Sequence, residues 1–185
     1  MSWIPMIEPE NAEGVLKELY GELQTKRGKI SNIMKIHSLH PETMRDHLNL
    51  YLTLMFGKSP LSRAEREMIG VVVSAANQCQ YCIHHHKEAL LFYWKDEQKI
   101  HQLITEPEKA PLSDREKAMV AYVRQLTHHP EKTSISSVER LKDAGLNDRE
   151  ILDCNLICSY FNFVNRIVLG LGVSFSEEEM KGYKY

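Results

Sequence analysis

Apolar residues recur along the chain at spacings of three and four, and the breaks between the runs fall at glycine and proline, so the pattern is that of successive helices. After an extended arm over residues 1–9, which carries Pro5 and Pro9, the positions Val15, Leu16, Leu19, Tyr20 and Leu23 predict a helix over about 10–24. Gly28 ends it, and Ile30, Ile33, Met34 and Ile36 predict a short helix that stops before Pro41. Met44, Leu48, Tyr51, Leu52 and Met55 mark a longer one over 41–56, broken by Gly57 to Pro60. Ser62 with Glu65, and later Ser113 with Glu116, have the spacing of a capping box, in which each side chain satisfies the other's backbone N–H at a helix start. The first of these helices carries Glu67, Val71, Ser74 and Gln78 along one face. Val71 to Val73 has strand propensity, but the surrounding Ala, Glu and Met favour the helix.

Asn77 is the expected break before a further helix over about 80–93, and a short helix follows near 96–103, in a polar stretch bounded by Pro107 and Pro111. The Ser113 helix runs to about 126, limited by Pro130, and another spans 136–144 up to Gly145. The last helix, 147–169, has no internal Gly or Pro and is apolar around much of its circumference, which places it at the centre of a core or in an interface. Asn162, Asn165 and Arg166 interrupt that surface and need partners if buried; a capped interface network is the expectation for them. No alternating strand pattern occurs. The prediction is an all-α chain forming a single compact helical domain over 1–185, with a charged and aromatic tail from Ser174 to Tyr185 that offers no clear site. An echo at an offset of 85 residues sets Leu61 to Glu65 against Leu146 to Glu150, and Ser74 and Asn77 against Ser159 and Asn162. It allows an internal duplication of which only the first copy holds reactive groups.

Composition narrows the functional classes. A formal net charge of -2 and no dense basic stretch give no footprint for a nucleic acid. The N-terminus lacks a basic start and an apolar signal core, and no apolar run approaches the ~18 residues of a membrane span, so no membrane association is expected and the cytoplasm is the default location. Four cysteines in such a chain point to catalysis, metal binding or simple burial rather than a disulfide framework.

The chemistry concentrates in Glu67 to His86, EMIGVVVSAANQCQYCIHHH. With the segment from Cys79 helical, Cys79 and Cys82 lie three apart and Cys82 and His86 four apart, on one face. Imidazole can draw the proton from a thiol, the thiolate is the nucleophile, and a second thiol can close a disulfide. His84 and His85 point away from that face, towards solvent or an interface. Zinc is the alternative use of Cys79, Cys82 and His86, with His84, His85, Cys154 or Cys158, but no second CxxC or spaced histidine pair completes a pattern. Covalent haem attachment needs histidine directly after the second cysteine, where this chain has Ile83. Cys154 and Cys158, four apart on an apolar helix, read as buried inert thiols.

The stretch LSRAEREMIGVVVSAANQCQYCIHHH resembles the active segment of the alkylhydroperoxidase D branch of the carboxymuconolactone decarboxylase superfamily, and FNFVNRIVLGLGV at 161–173 extends the likeness to its peroxidase-related members. The resemblance implies an all-helical, oligomeric protein whose site is Glu67, Cys79, Cys82 and His86. Where some members carry histidine just before the second cysteine, this chain has Tyr81, a poor proton acceptor near neutral pH. The cysteine pair argues against the decarboxylase branch. The expected activity is thiol-dependent reduction of hydroperoxides: Cys82 attacks, Cys79 closes the disulfide, His86 takes the thiol proton and Glu67 orients it. Cys82 is the thiol expected to lose its proton to His86, although the helix N-terminus alone would favour Cys79. Regeneration falls to an external dithiol, lipoyl-type or thioredoxin-like, with no bound cofactor and no metal. The alternative is a redox-sensing helical oligomer or a disulfide oxidoreductase that records oxidation without peroxide turnover.

Overall fold

The computed structural model describes residues 2–175, and its regular elements there are all helical. The arm and the first helix differ from expectation. Pro9–Asn11 forms a 3-10 turn, and α1 (Gly14–Arg27) begins only at Gly14, whose φ of +52° turns the chain into the helix. Gly28, at φ +75°, closes α1 with its N–H on the Gln24 carbonyl. Then follow α2 (Asn32–Lys35), α3 (Pro41–Phe56), α4 (Arg63–Ala76), α5 (Gln80–Trp94), α6 (Glu97–Thr105), α7 (Asp114–His128), α8 (Ile135–Asp143) and α9 (Asp148–Gly170). Of the expected tail, residues 176–185 lie outside the described residues.

Contacts gather the described residues into two compact units, 2–52 with 166–175, and 53–165. In the first, Leu16, Leu19, Tyr20 and Leu23 of α1 bury against Met34, Met44 and Leu48. The Tyr20 hydroxyl donates to the Ile7 carbonyl at 2.7 Å, which ties the arm to α1. Two histidines are set within this apolar surround: His47 Nδ1 lies 3.0 Å from His37 Nε2, and His37 Nδ1 lies 3.2 Å from the Thr43 hydroxyl. Burial, then the neighbouring imidazole, pull His47 down to about 3, and burial lowers His37 as well.

The second unit is built on α4, which packs against α5, α6 and α7 and buries Glu67 through Ser74 without a gap. Three starts of one kind organise it. Ser62 with Glu65, Ser113 with Glu116, and Asn147 with Glu150 each make the reciprocal backbone bonds of a capping box. Arg115 joins two of them, donating to Glu65 and to Glu150 at 2.7 Å each. Positions matched by the 85-residue echo therefore share one arginine, and another such pair, Asn77 and Asn162, are hydrogen-bonded to each other at 3.0 Å.

Candidate active site

The turn from α4 into α5 presents the first cysteine. Asn77 caps α4, Gln78 takes the left-handed conformation at φ +56°, and the Cys79 N–H reaches back to the Ser74 carbonyl at 2.9 Å. Glycine is the usual occupant of such a position, so its fold signal was absent from the sequence. Cys79 is the N-cap of α5 and Cys82 lies in the first turn; their sulfurs are 3.1 Å apart. Both are buried, at 0% and 2% exposure, and all four cysteines are free thiols.

Glu67 is the anchor of the site. It is wholly buried, and its carboxylate is divided: Oε1 accepts from Arg63 Nε at 2.9 Å and Nη2 at 2.6 Å, and Oε2 lies 2.6 Å from His86 Nδ1. Burial works to raise its pKa, but His86 and Arg63 outweigh it and hold the carboxyl below its usual range. An ionised carboxylate can only accept, so His86 Nδ1 carries the proton and Nε2 is left as the base. The His86 ring meets Phe161 edge-on, with centroids 4.4 Å apart. Gly70 permits this approach, since a Cβ there would stand 2.8 Å from Phe161 and 3.3 Å from His86 Cγ. Arg63, whose guanidinium also lies 3.7 Å over the Phe56 ring, was not singled out in the sequence; its i, i+4 spacing to Glu67 was the available signal.

The two thiols divide their proton unequally. The sulfur contact with Cys82 lowers Cys79, and the Cys82 backbone N–H adds to it against the effect of burial. Cys82 is raised by the same sulfur contact, then by burial and by the charge on Cys79, with a hydrogen bond from Asn165 acting against these. Of the two, Cys79 is thus the more acidic thiol.

The asparagines on α9 are part of this site. Asn77 Nδ2 donates to both Asn162 Oδ1 and Asn165 Oδ1 at 3.0 Å, and Asn165 Nδ2 donates to the Ser74 hydroxyl at 3.3 Å. Asn162 is half-buried and continues the network to the Thr127 hydroxyl at 3.0 Å. Arg166 is exposed. Of the other histidines, His85 stacks on Tyr81 with centroids 4.4 Å apart, its Nδ1 lying 3.0 Å from the Tyr81 carbonyl. Cys154 and Cys158 are fully buried, and burial pushes both up, Cys158 to about 11. Among the described residues no group of three or more histidine, cysteine or carboxylate side chains is placed to hold a metal ion, and no helix is long and apolar enough to cross a membrane.

Residues 41–125 match the carboxymuconolactone decarboxylase family. A peroxidase-related protein from Silicibacter sp. TM1040 is 29% identical, with a TM-score of 0.86 over 97% of this chain and 94% of that one. The alkylhydroperoxidase AhpD core of a peroxidase-related protein from Ralstonia eutropha JMP134 is 27% identical, with a TM-score of 0.87 over the same shares. Sestrin-2 from Bos taurus is 24% identical over 178 residues, 93% of this chain but 36% of that protein, so the chain spans about a third of the sestrin's length.

Proposed function

Since the chain belongs to the carboxymuconolactone decarboxylase superfamily as an alkylhydroperoxidase D-like member, we propose that it is a thiol-dependent peroxidase acting through Cys79 and Cys82. The observation that carries this reading is the 3.1 Å sulfur contact at the start of α5, one turn before a histidine whose proton is fixed by the buried Glu67. Cys82, four residues before His86 on the helix, is the attacking sulfur. Its proton passes to the base, His86 Nε2. The Cys82 thiolate then attacks the peroxide: the S–O bond forms, the O–O bond breaks, and the alkoxide takes a proton to leave as alcohol. Cys79 as thiolate attacks the resulting sulfenic acid, forming the disulfide as the hydroxide leaves with a proton as water. An external dithiol, lipoyl-type or thioredoxin-like, restores both thiols and becomes a disulfide itself. No bound cofactor enters this cycle, and the cytoplasm supplies such dithiols.

The burial of both sulfurs favours a second reading, a sensor that oxidises once, because a bulky reductant has no direct path to either. Steady-state consumption of hydroperoxide with dihydrolipoamide or reduced thioredoxin separates the two. The peroxidase consumes many equivalents per chain; arrest after one equivalent with both reductants supports the sensor and ends the enzymatic reading.

A further inference from the structure

The turn from α4 into α5 holds a conformation that its own residues do not favour. Gln78 stands at φ +56°, in the left-handed region where a side chain crowds the backbone and glycine is the usual occupant. Such a conformation persists only where surrounding structure holds it, and here the support comes from α9. Asn77, two residues before Cys79, gives both of its Nδ2 protons to that helix, to Asn162 Oδ1 and Asn165 Oδ1 at 3.0 Å each. The fully buried Asn165 donates its own Nδ2 to the Ser74 hydroxyl at 3.3 Å, on the residue whose carbonyl receives the Cys79 N–H at 2.9 Å. One amide therefore grips the turn at Ser74 and at Asn77. The orientations are mutually fixed, because Asn162 Nδ2 donates to the Thr127 hydroxyl at 3.0 Å and to the Cys158 carbonyl at 3.1 Å, which leaves its Oδ1 facing Asn77. Turning over any one of the three amides would set donor against donor or acceptor against acceptor.

We propose that Asn77 and Asn165 are positioning residues for the thiol pair: their amides clamp the turn to α9 in the conformation that sets the Cys79 sulfur 3.1 Å from Cys82, and so favour closure of the disulfide. The assignment rests on the reading of Cys79 and Cys82 as a redox-active pair. In this role both asparagines act through Ser74 and the backbone at Gln78 rather than on a sulfur. On closure the two thiols lose two protons and two electrons to an oxidised dithiol, which becomes the reduced dithiol as the S–S bond forms. Sulfurs already in contact need only a small further approach, so a clamped turn loses little freedom in that step. A released turn samples conformations with Cys79 farther away, and closure removes them all, which makes the disulfide less favourable.

The test equilibrates the full chain with mixtures of reduced and oxidised lipoic acid at neutral pH, without peroxide. Alkylation of the remaining thiols, followed by mass spectrometry of the peptide that carries both cysteines, gives the equilibrium constant for the disulfide. Asn77→Ala should lower that constant about tenfold, which for this two-electron couple raises the potential by about 30 mV. Asn165→Ala should move it in the same direction. Urea unfolding of each reduced variant reads global stability separately. A merely structural role weakens the reduced and oxidised chains alike, so a lowered urea midpoint with an unmoved constant overturns the proposal. If neither alanine variant folds, Asn77→Ser, which keeps one donor, decides: a lowered constant supports the proposal and an unmoved one overturns it. A wild-type chain that forms no disulfide between Cys79 and Cys82 even in oxidised lipoic acid alone ends the redox reading and the proposal with it. A wild-type disulfide whose constant the variants leave unmoved removes only the role of the asparagines.

Discussion

Glu67 sets the chemistry of the site because one wholly buried carboxylate serves two donors. Arg63 and His86 each take one of its oxygens, so the residue is a structural keystone as well as an orienting group. On sequence alone, Glu67→Gln removes a relay charge and leaves the fold intact; its burial against Arg63 changes that expectation. The variant leaves a guanidinium facing an amide in the interior, at a cost of about 3 kcal/mol. It also releases the proton on His86 Nδ1 from its acceptor, which should slow thiol oxidation by about tenfold or more. Urea unfolding and stopped-flow oxidation read the two effects separately, and a variant as stable and as fast as wild type contradicts both. His86→Ala should show the kinetic loss, whereas His84→Ala, without the contact to Glu67, should oxidise at the wild-type rate. Equal losses in the two histidine variants would mean that α5 presents a different histidine to the thiols.

At the scale of elements, the helices were legible because their ends carry chemical signals. The capping boxes at Ser62 and Ser113, Pro41 and Gly145 lie at helix ends whose spacing or composition can be read directly. The start of α1 was not legible, since the 3-10 turn at Pro9 and the positive φ of Gly14 leave an apolar periodicity that also fits an earlier start. Glu67, Cys79, Cys82 and His86 could be grouped from α4 and α5 because the elements are consecutive. Asn165 could not, because the contact to Ser74 spans 91 residues and depends on the docking of α9. The His37 and His47 pair was likewise invisible, yet it gives the first unit a pH dependence. Both are held neutral by burial, and in the unfolded chain each protonates near 6.5, so the stability they contribute is complete above that value and is lost as pH falls towards the folded value of about 3 for His47. By about pH 5 the loss from His47 alone amounts to about 2 kcal/mol. Glu65 and Glu67, held below their usual range, remain ionised in that window and add little to the slope, because in the unfolded chain they are still mostly ionised at about pH 5. Urea melts between neutral pH and about pH 5 should therefore show a fall in stability that His47→Gln reduces; an equal fall in the variant would place the titrating group elsewhere.

The whole molecule presents surface that a lone chain leaves in water. On α9, Leu152, Leu156 and Phe163 are 52%, 40% and 47% exposed and fall on one stripe, while the opposite side of the helix is buried. Association through this stripe is the expected outcome, and sedimentation velocity at micromolar concentration should give a species larger than one chain that Leu156→Glu dissociates. A clean monomer for the parent protein contradicts it. Burial of both sulfurs also bears on the molecule as a whole, since only a compact oxidant reaches them without local opening of the α5 start. The account depends on one division of labour, in which Cys82 meets the peroxide and Cys79 resolves it. A brief peroxide pulse with a sulfenic-acid trap, read by mass spectrometry on the two single-cysteine variants of the pair, tests that division. Cys79→Ser should accumulate the trapped sulfenic acid on Cys82, and Cys82→Ser should react slowly while keeping a thiol competent for disulfide exchange. A label on Cys79 in Cys82→Ser, formed as fast as oxidation of the wild-type protein, would contradict that division and make Cys79, the more acidic thiol, the attacking sulfur.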